Sequence, residues 1–151
     1  MNNLQRTLIS FDWAIKKILR QKPNFVILEG FLSVLLKQDL TITSILESES
    51  NKVDPNDKIN KVDILCESLS KEIVLIELQY NSETDYFHRM LFGASKIVTD
   101  FMSQGNSYKE VKKIYSINIV YFDLGQGEDY VYYGKTSFEG LHKHDLLQLS
   151  N

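Results

Sequence analysis

The fold is decided by one stretch of the sequence, KVDILCESLSKEIVLIELQY at residues 61–80. Its second half, residues 72–80, is apolar at every position from Ile73 to Ile76, which is typical of a strand covered on both faces. The first half, together with the two residues before it, forms the segment 59–67, which alternates in a strand-like period of two. Three apolar residues lie on one face of this segment: Val62, Ile64 and Cys66. These two neighbouring segments predict a β-hairpin at the centre of the chain.

The segments on either side predict helices and further strands around this hairpin. Two helices are expected before it, from Ser10 to Pro23 and from Asn24 onward, followed by a strand at 41–50. After it we expect a long helix from Ser82 to Gly105, followed by a buried strand at 114–122 and a short edge strand at 130–133. The helix has a broad apolar stripe formed by Phe87, Met90, Leu91, Ala94, Ile97, Val98 and Phe101. A strand, a long helix and a buried strand form a right-handed crossover with parallel pairing. The sequence therefore predicts a mixed sheet with helices on both faces.

Composition places the chain among ordinary globular proteins. It has 151 residues, of which 43% are hydrophobic and 25% charged, so we expect a single domain over 1–151. The single cysteine excludes an intrachain disulfide and fits a reducing compartment. No apolar run approaches the ~20 residues of a membrane helix, and the N-terminal residues lack a signal-peptide core. We therefore expect a cytoplasmic protein with no membrane partner.

The charge is unevenly distributed along the chain. A formal net charge of −3 argues mildly against a nucleic-acid partner. However, residues 1–22 carry five basic residues and one acid, whereas residues 39–87 carry eleven acids and four basic residues. An acidic middle beside a basic end is compatible with a metal-dependent nuclease, and it also occurs in unrelated proteins.

Three polar residues interrupt the two strands of this hairpin, the second of which is the most apolar strand in the chain. Glu77 and Gln79 point to one face of the second strand, and a carboxylate buried there is costly unless it is paired, hydrogen-bonded or bound to metal. Asp63 lies similarly on the first strand, and it faces Glu77 only if the hairpin loop has an odd number of residues, such as 69–71, or a bulge. A divalent cation between two opposed carboxylates would relieve their repulsion, with the Leu78 carbonyl as a third oxygen ligand.

The spacing also allows a structural role for Glu77. It could end its strand in solvent, or form an ion pair with a base on the following helix, Arg89 or Lys96. Cys66 shares a face with Ile64, opposite Asp63, and is expected to be a buried small hydrophobe. Spacing alone leaves the choice between metal binding and an ion pair open.

The same stretch carries a resemblance to a known family. The pattern KVDILCES…KEIVLIELQY resembles the D…ExK signature of the PD-(D/E)XK nuclease superfamily, and more narrowly its recombination-promoting nuclease or transposase family. Three further segments are similar to that family and follow in the right order: FDWAIKKIL at 11–19, YFHRMLFGASK at 86–96 and GNSYKEVKKIYSINIVYFDL at 105–124.

The resemblance implies a restriction-endonuclease-like α/β fold with the core order α-β-β-β-α-β. It implies that Asp63 and Glu77 bind Mg²⁺ or Mn²⁺, and that Gln79 occupies the position where most of the superfamily has a catalytic lysine. Asp12 and Lys16 match the N-terminal motif, so they are expected either to line the same cleft or to lie on a solvated helix face. Glutamine can orient water but supplies no charge. Lys16 and Lys96 are the candidates for that missing charge.

The expected function is a metal-dependent DNA endonuclease of transposase or recombination type, with DNA as partner and a homodimer possible. Two alternatives remain open at this point. Gln79 and the acidic net charge favour a catalytically degenerate DNA-binding or protein-interaction module with the same fold. An interaction domain outside the superfamily would be indicated if Asp63 and Glu77 lay on opposite faces of the sheet.

Overall fold

The structure, a computed structural model, describes residues 25–46, 63–102 and 105–147. The main elements are two helices and four strands in the order α1 (Phe25–Leu36), β1 (Ile42–Leu46), β2 (Ile64–Ser68), β3 (Ile73–Gln79), α2 (Tyr86–Asp100) and β4 (Ile114–Val120). A 3₁₀ turn (Tyr108–Glu110) precedes β4, and two short strands, β5 (Phe138–Glu139) and β6 (Leu146–Leu147), pair with each other beyond it. The predicted restriction-endonuclease-like α/β fold, with its α-β-β-β-α-β core, is confirmed.

The four main strands form one mixed sheet in the order β1-β2-β3-β4. The pairings of β1 with β2 and of β2 with β3 are antiparallel, whereas β3 and β4 are parallel. The parallel pair is joined through α2, as the predicted crossover requires. β3 lies inside the sheet and has an apolar cluster on each of its faces, so six of its seven residues are buried.

The side chains of alternate β3 residues pack into two separate apolar clusters, one on each face of the sheet. The α1 side contains Leu28 and Leu32 of α1 packed with residues of β2 and β3: Ile64, Cys66, Val74, Ile76 and Leu78. The α2 side contains Ile97 of α2, packed with Leu65, Ile73 and Leu75. Successive strand residues point to opposite faces, so Glu77 lies on the α2 side, in line with Ile73 and Leu75. On this face of β3, the polar residues Glu77 and Gln79 therefore follow directly after the α2-side cluster.

The β2–β3 hairpin has a loop of three residues, 69–71. The Ser68 N–H donates to the Glu72 carbonyl at 2.9 Å, and the Lys71 N–H donates to the Ser68 carbonyl at 2.9 Å. Lys71 has a φ of 65°, the left-handed conformation that three-residue hairpins use at their last loop position. This odd-numbered loop sets a register in which Ile64 lies opposite Ile76.

The limits of α2 differ from those predicted. The helix begins at Tyr86 rather than Ser82, because side-chain contacts of Gln79 and Glu83 hold the preceding residues as a loop. It ends at Asp100, and Gly105, the predicted end, follows with a φ of 94°.

The predicted apolar stripe of α2 is also partly wrong. The buried residues of the helix are Tyr86, Gly93 and Ile97, whereas Phe87 and Leu91 are 49% and 69% exposed. The prediction chose the face of α2 that carries the largest apolar side chains. The face that packs on the sheet instead includes Gly93, which has no side chain to mark it. The large apolar residues therefore do not mark the face that packs.

Two other predictions have different outcomes. The edge strand expected at 130–133 is wrong: these residues are exposed coil, and the Tyr132 hydroxyl instead accepts a hydrogen bond from the Asp129 N–H at 2.7 Å. The helix predicted from Ser10 to Pro23, its successor's cap Asn24 and the end of the strand at 47–50 lie outside the described residues. Neither helix in the described part of the chain is long and apolar enough to cross a membrane.

Candidate functional site

The polar residues of β3 occupy its carboxyl end, on the α2 side of the sheet. Glu77 is only 5% exposed, although its strand neighbours on this face are apolar. Its partner in the parallel register is Asn118 of β4, and Gln79 lies two residues further along on the same face. The sheet therefore presents a buried carboxylate and two amides side by side.

Asp63 lies immediately before β2 and completes the carboxylate pair. Continuing the β2–β3 register by one residue beyond Ile64 and Ile76 places Asp63 opposite Glu77. Asp63 Oδ2 accepts a 2.8 Å hydrogen bond from the Leu78 N–H, which fixes this carboxylate against β3. The two carboxylates thus share one face of the sheet. An interaction domain outside the superfamily would have been indicated if they lay on opposite faces.

The Glu77 carboxylate is buried, and no hydrogen-bond donor reaches it from the part of the chain that the structure describes. Among the described residues, neither Oε1 nor Oε2 of Glu77 has a hydrogen-bond partner. Burial is the main cause that raises the pKa of Glu77 above its usual value; the Arg89 charge acts in the opposite direction, and the charges of Asp63 and Glu83 add to the rise. An unsatisfied carboxylate at this depth is costly unless a cation joins it.

A small ionic network lies beside Glu77 at the start of α2. Arg89 Nη1 forms an ion pair with Glu83 Oε1 at 2.6 Å, and Arg89 Nε lies 3.8 Å from Glu77 Oε2. The Gln79 amide nitrogen donates to the same Glu83 oxygen at 3.2 Å and to the Asn81 carbonyl at 2.9 Å. The ion-pair alternative predicted for Glu77 is therefore present through Arg89, at a distance beyond hydrogen bonding.

The opposite wall of the site is formed by Tyr86 and two polar residues of β4. The Tyr86 hydroxyl donates to Asn118 Oδ1 at 3.2 Å, and the Asn118 amide donates to Ser116 Oγ at 3.0 Å. Burial raises the pKa of Tyr86 to about 12, and the charge of Glu77 contributes to that rise. Tyr86 therefore stays a neutral hydrogen-bond donor at any physiological pH.

Lys96 and Cys66, the remaining candidates among the described residues, do not join this group. Lys96 forms an ion pair with Asp100 at 3.2 Å, one turn further along α2. Asp12 and Lys16 lie outside the described residues. Burial raises the pKa of Cys66 to about 12, and its thiol contacts the Val74 carbonyl at 3.7 Å, which agrees with a structural role.

The donor set can be tested for its fit to a divalent ion. The described residues contain no group of three or more His, Cys, Asp or Glu side chains arranged for a metal. A backbone carbonyl can supply the third oxygen ligand. The Gln79 carbonyl accepts a hydrogen bond from the Tyr121 N–H, directly after β4. Because neighbouring residues of a strand direct their backbone groups to opposite sides, the N–H and carbonyl of Leu78 are directed toward Asp63. Two carboxylates and this carbonyl are oxygen ligands of the kind hard divalent ions take. The unsatisfied oxygens of Glu77 fit such an ion.

Four residues of the site were missed by sequence reasoning. Glu83 lies in a loop whose path no sequence period specifies, so it left no usable signal. Asn118, with Ser116, interrupts an apolar strand at every second position, as Glu77 and Gln79 do in β3, and this pattern could have been used. Tyr86 opens the segment 86–96 but has no distinguishing spacing.

Comparison with known protein families gives one result. A family model described as PD-(D/E)XK nuclease family transposase matches residues 9–144, nearly the whole chain. Neither the curated proteins nor the solved structures gave a match to this chain.

Proposed function

This chain belongs to the PD-(D/E)XK nuclease family transposases, and from this premise we propose that it is a divalent-metal-dependent endonuclease that hydrolyses phosphodiester bonds in DNA. The single observation that carries the proposal is the Glu77 carboxylate. It is buried, it lies opposite Asp63, and neither of its oxygens has a hydrogen-bond donor among the described residues. Burial of such a group without a donor costs stability, and Arg89 offsets its charge only from 3.8 Å, which leaves both oxygens for a metal ion.

Asp63, Glu77 and the Leu78 carbonyl are the proposed ligands of Mg²⁺ or Mn²⁺. When bound, the ion supplies Lewis acidity toward the scissile phosphate and lowers the pKa of water. Asp63 is held in place for this task by the Leu78 N–H, so its orientation does not depend on the ion. Asp12 and Lys16 remain proposed residues of the same cleft.

Gln79 is the proposed water-positioning residue. Its amide is two residues from Glu77 on the same face, so it can hydrogen-bond a water molecule beside the carboxylates. It carries no charge, so charge at the phosphate has to come from elsewhere. The wall formed by Tyr86 and Asn118 offers additional neutral polar groups on the β4 side.

A catalytically degenerate DNA-binding or protein-interaction module is the second candidate. It is favoured by Gln79, whose amide nitrogen is already engaged by Asn81 and Glu83 in this structure. A degenerate site should have lost carboxylate-dependent Mg²⁺ or Mn²⁺ binding. Calorimetric titration of the wild type and of Glu77→Gln with each ion therefore separates the two candidates.

The decisive experiment is nicking of a supercoiled plasmid with Mg²⁺, with Mn²⁺ and with a chelator. We expect cleavage in both metals and none in the chelator, with Asp63→Ala as the inactive control. Cleavage that persists at the same rate in Asp63→Ala would assign the activity to a contaminant and contradict the proposal.

A further inference from the structure

Arg89 is a cation placed at the candidate site by α2. Its side chain is 38% exposed, whereas the Glu77 side chain that it approaches is only 6% exposed. Its guanidinium therefore reaches the buried carboxylate from the solvent side. A substrate phosphate would enter the site from that same side.

Its two contacts have different lengths and different effects. The 2.6 Å pair with Glu83 anchors one end of the guanidinium. The 3.8 Å separation from Glu77 is too long for a hydrogen bond, so Arg89 offsets the charge of Glu77 without occupying either of its oxygens. Both oxygens thus remain available to a metal ion.

Gln79 is tied to the same anchor. Glu83 Oε1 receives both the Gln79 amide and Arg89 Nη1, so one carboxylate positions the neutral residue of β3 and the cation of α2 together. A lysine at position 79 would bring its charge to this same place. Among the described residues, Lys96 is directed instead to Asp100.

We infer that Arg89 supplies the positive charge that Gln79 lacks: it is the counter-ion of Glu77 in the metal-free protein and the phosphate-binding cation of the metal-loaded one. This inference rests on the proposed endonuclease function. The guanidinium is suited to the second task because its planar fork can donate two hydrogen bonds to a phosphate while a carboxylate holds its other edge.

The two tasks predict opposite effects of removing Arg89. Metal and guanidinium are both cations close to Glu77, so each weakens the binding of the other in the absence of DNA. Loss of Arg89 should therefore strengthen metal binding, while it removes the charge that stabilises the transition state of cleavage. An ion pair with a purely structural role would not separate the two readouts in this way.

The first test measures Mn²⁺ binding by calorimetry without DNA. Arg89→Gln should bind Mn²⁺ about 5-fold more tightly than the wild type, the scale of one partly exposed charge interaction. Arg89→Lys, which keeps the charge, should stay within about 2-fold of the wild type. Arg89→Met also removes the charge, keeps much of the aliphatic side chain and replaces Arg89→Gln if that variant fails to fold. The matched control is Lys113→Gln, which removes a 3.3 Å ion pair with Glu72 at the other end of β3. It should leave the affinity for Mn²⁺ unchanged. Equal or weaker Mn²⁺ binding by Arg89→Gln would overturn the counter-ion role.

The second test is a double-mutant cycle on plasmid cleavage. With Gln79 present, Arg89→Gln should lower the rate by about 10²–10³-fold, as loss of a charge-stabilising donor does. With Gln79→Lys present, the same change should cost only about 5-fold, because the lysine supplies the charge. If Arg89→Gln lowers the cleavage rate equally in both backgrounds, Arg89 does not supply the charge that a lysine at position 79 would supply. A wild type that cleaves no DNA would overturn the proposed function and the phosphate role with it, while the Mn²⁺ titration still decides the counter-ion role.

Discussion

Asp63 and Leu78 are joined by a 2.8 Å hydrogen bond in which a side-chain carboxylate accepts the backbone N–H of the neighbouring strand. Glu77, directly before Leu78, has no such donor among the described residues. The two carboxylates opposite each other therefore contribute with different signs to stability. Asp63 satisfies a backbone group that would otherwise lack an acceptor, whereas Glu77 is a buried carboxylate whose charge Arg89 offsets only from 3.8 Å, without a hydrogen bond.

Replacing Asp63 should destabilise the protein as well as inactivate it. Asp63→Ala leaves the Leu78 N–H without its acceptor, so the free energy of unfolding should fall by about 1–2 kcal/mol. Asp63→Asn keeps an acceptor oxygen and should lose less than about half of that. Urea denaturation of the metal-free proteins measures both values. Equal losses in the two variants would show that the hydrogen bond is not the cause.

Replacing Glu77 by Gln should stabilise the metal-free protein while abolishing cleavage. The change removes a buried charge and its repulsion with Asp63, so we expect the free energy of unfolding to rise by about 1 kcal/mol. Urea denaturation and the plasmid assay should then move in opposite directions. Destabilisation by Glu77→Gln would indicate instead that the contact with Arg89 holds the fold.

The raised pKa of Glu77 predicts a pH dependence of stability in the metal-free protein. Below the pKa of an unfolded-state glutamate both states hold the proton, so the group has no effect. As pH rises above that value the unfolded state ionises first, and stability is lost until the folded-state pKa is passed. Glu77→Gln should remove this part of the pH dependence, as measured by thermal unfolding from pH 4 to pH 8 with a chelator present. Identical profiles for wild type and variant would contradict the assignment.

Metal should stabilise the wild type through the same residue. A ligand that binds only the folded state adds stability with concentration, about 2.7 kcal/mol at 100 times its Kd. Mn²⁺ should therefore raise the melting temperature of the wild type and leave that of Glu77→Gln unchanged. A shift of equal size in both proteins would place the ion elsewhere on the surface.

Gln79 allows a direct test of water positioning. Gln79→Ala should lower cleavage by about 10–100-fold, the scale of a lost orienting contact, and Gln79→Lys should retain or raise it. The lysine could instead displace the metal by pairing with Glu77. A Mg²⁺ titration of the rate separates these effects, since displacement is overcome by more metal. If Gln79→Ala cleaves like the wild type at every Mg²⁺ concentration, Gln79 has no catalytic part.

The sequence predicted best what depends on local periodicity. The alternation around Asp63 and Glu77 put both on one face of the sheet once the loop length was odd, because a strand has a strict period of two. The start of α2, the exposure of Phe87 and Leu91 and the position of Glu83 were not predicted. The start of α2 and the position of Glu83 depend on the side-chain path of the loop before the helix, where Gln79 binds Glu83, and no helical or strand period encodes such a loop contact. The exposure of Phe87 and Leu91 depends on which face of α2 packs on the sheet, and that face includes Gly93.

The three-residue loop at 69–71 makes the chain sensitive to insertions and deletions of a particular size. Deleting Ser70 alone would leave an even loop, and the pairing could be kept only if every side chain of one strand moved to the other face. Asp63 would then leave the face of Glu77, and Ile64 and Cys66 would leave their core. Among length variants of this hairpin, those that change by two residues should therefore keep both core and site, whereas those that change by one should lose both together.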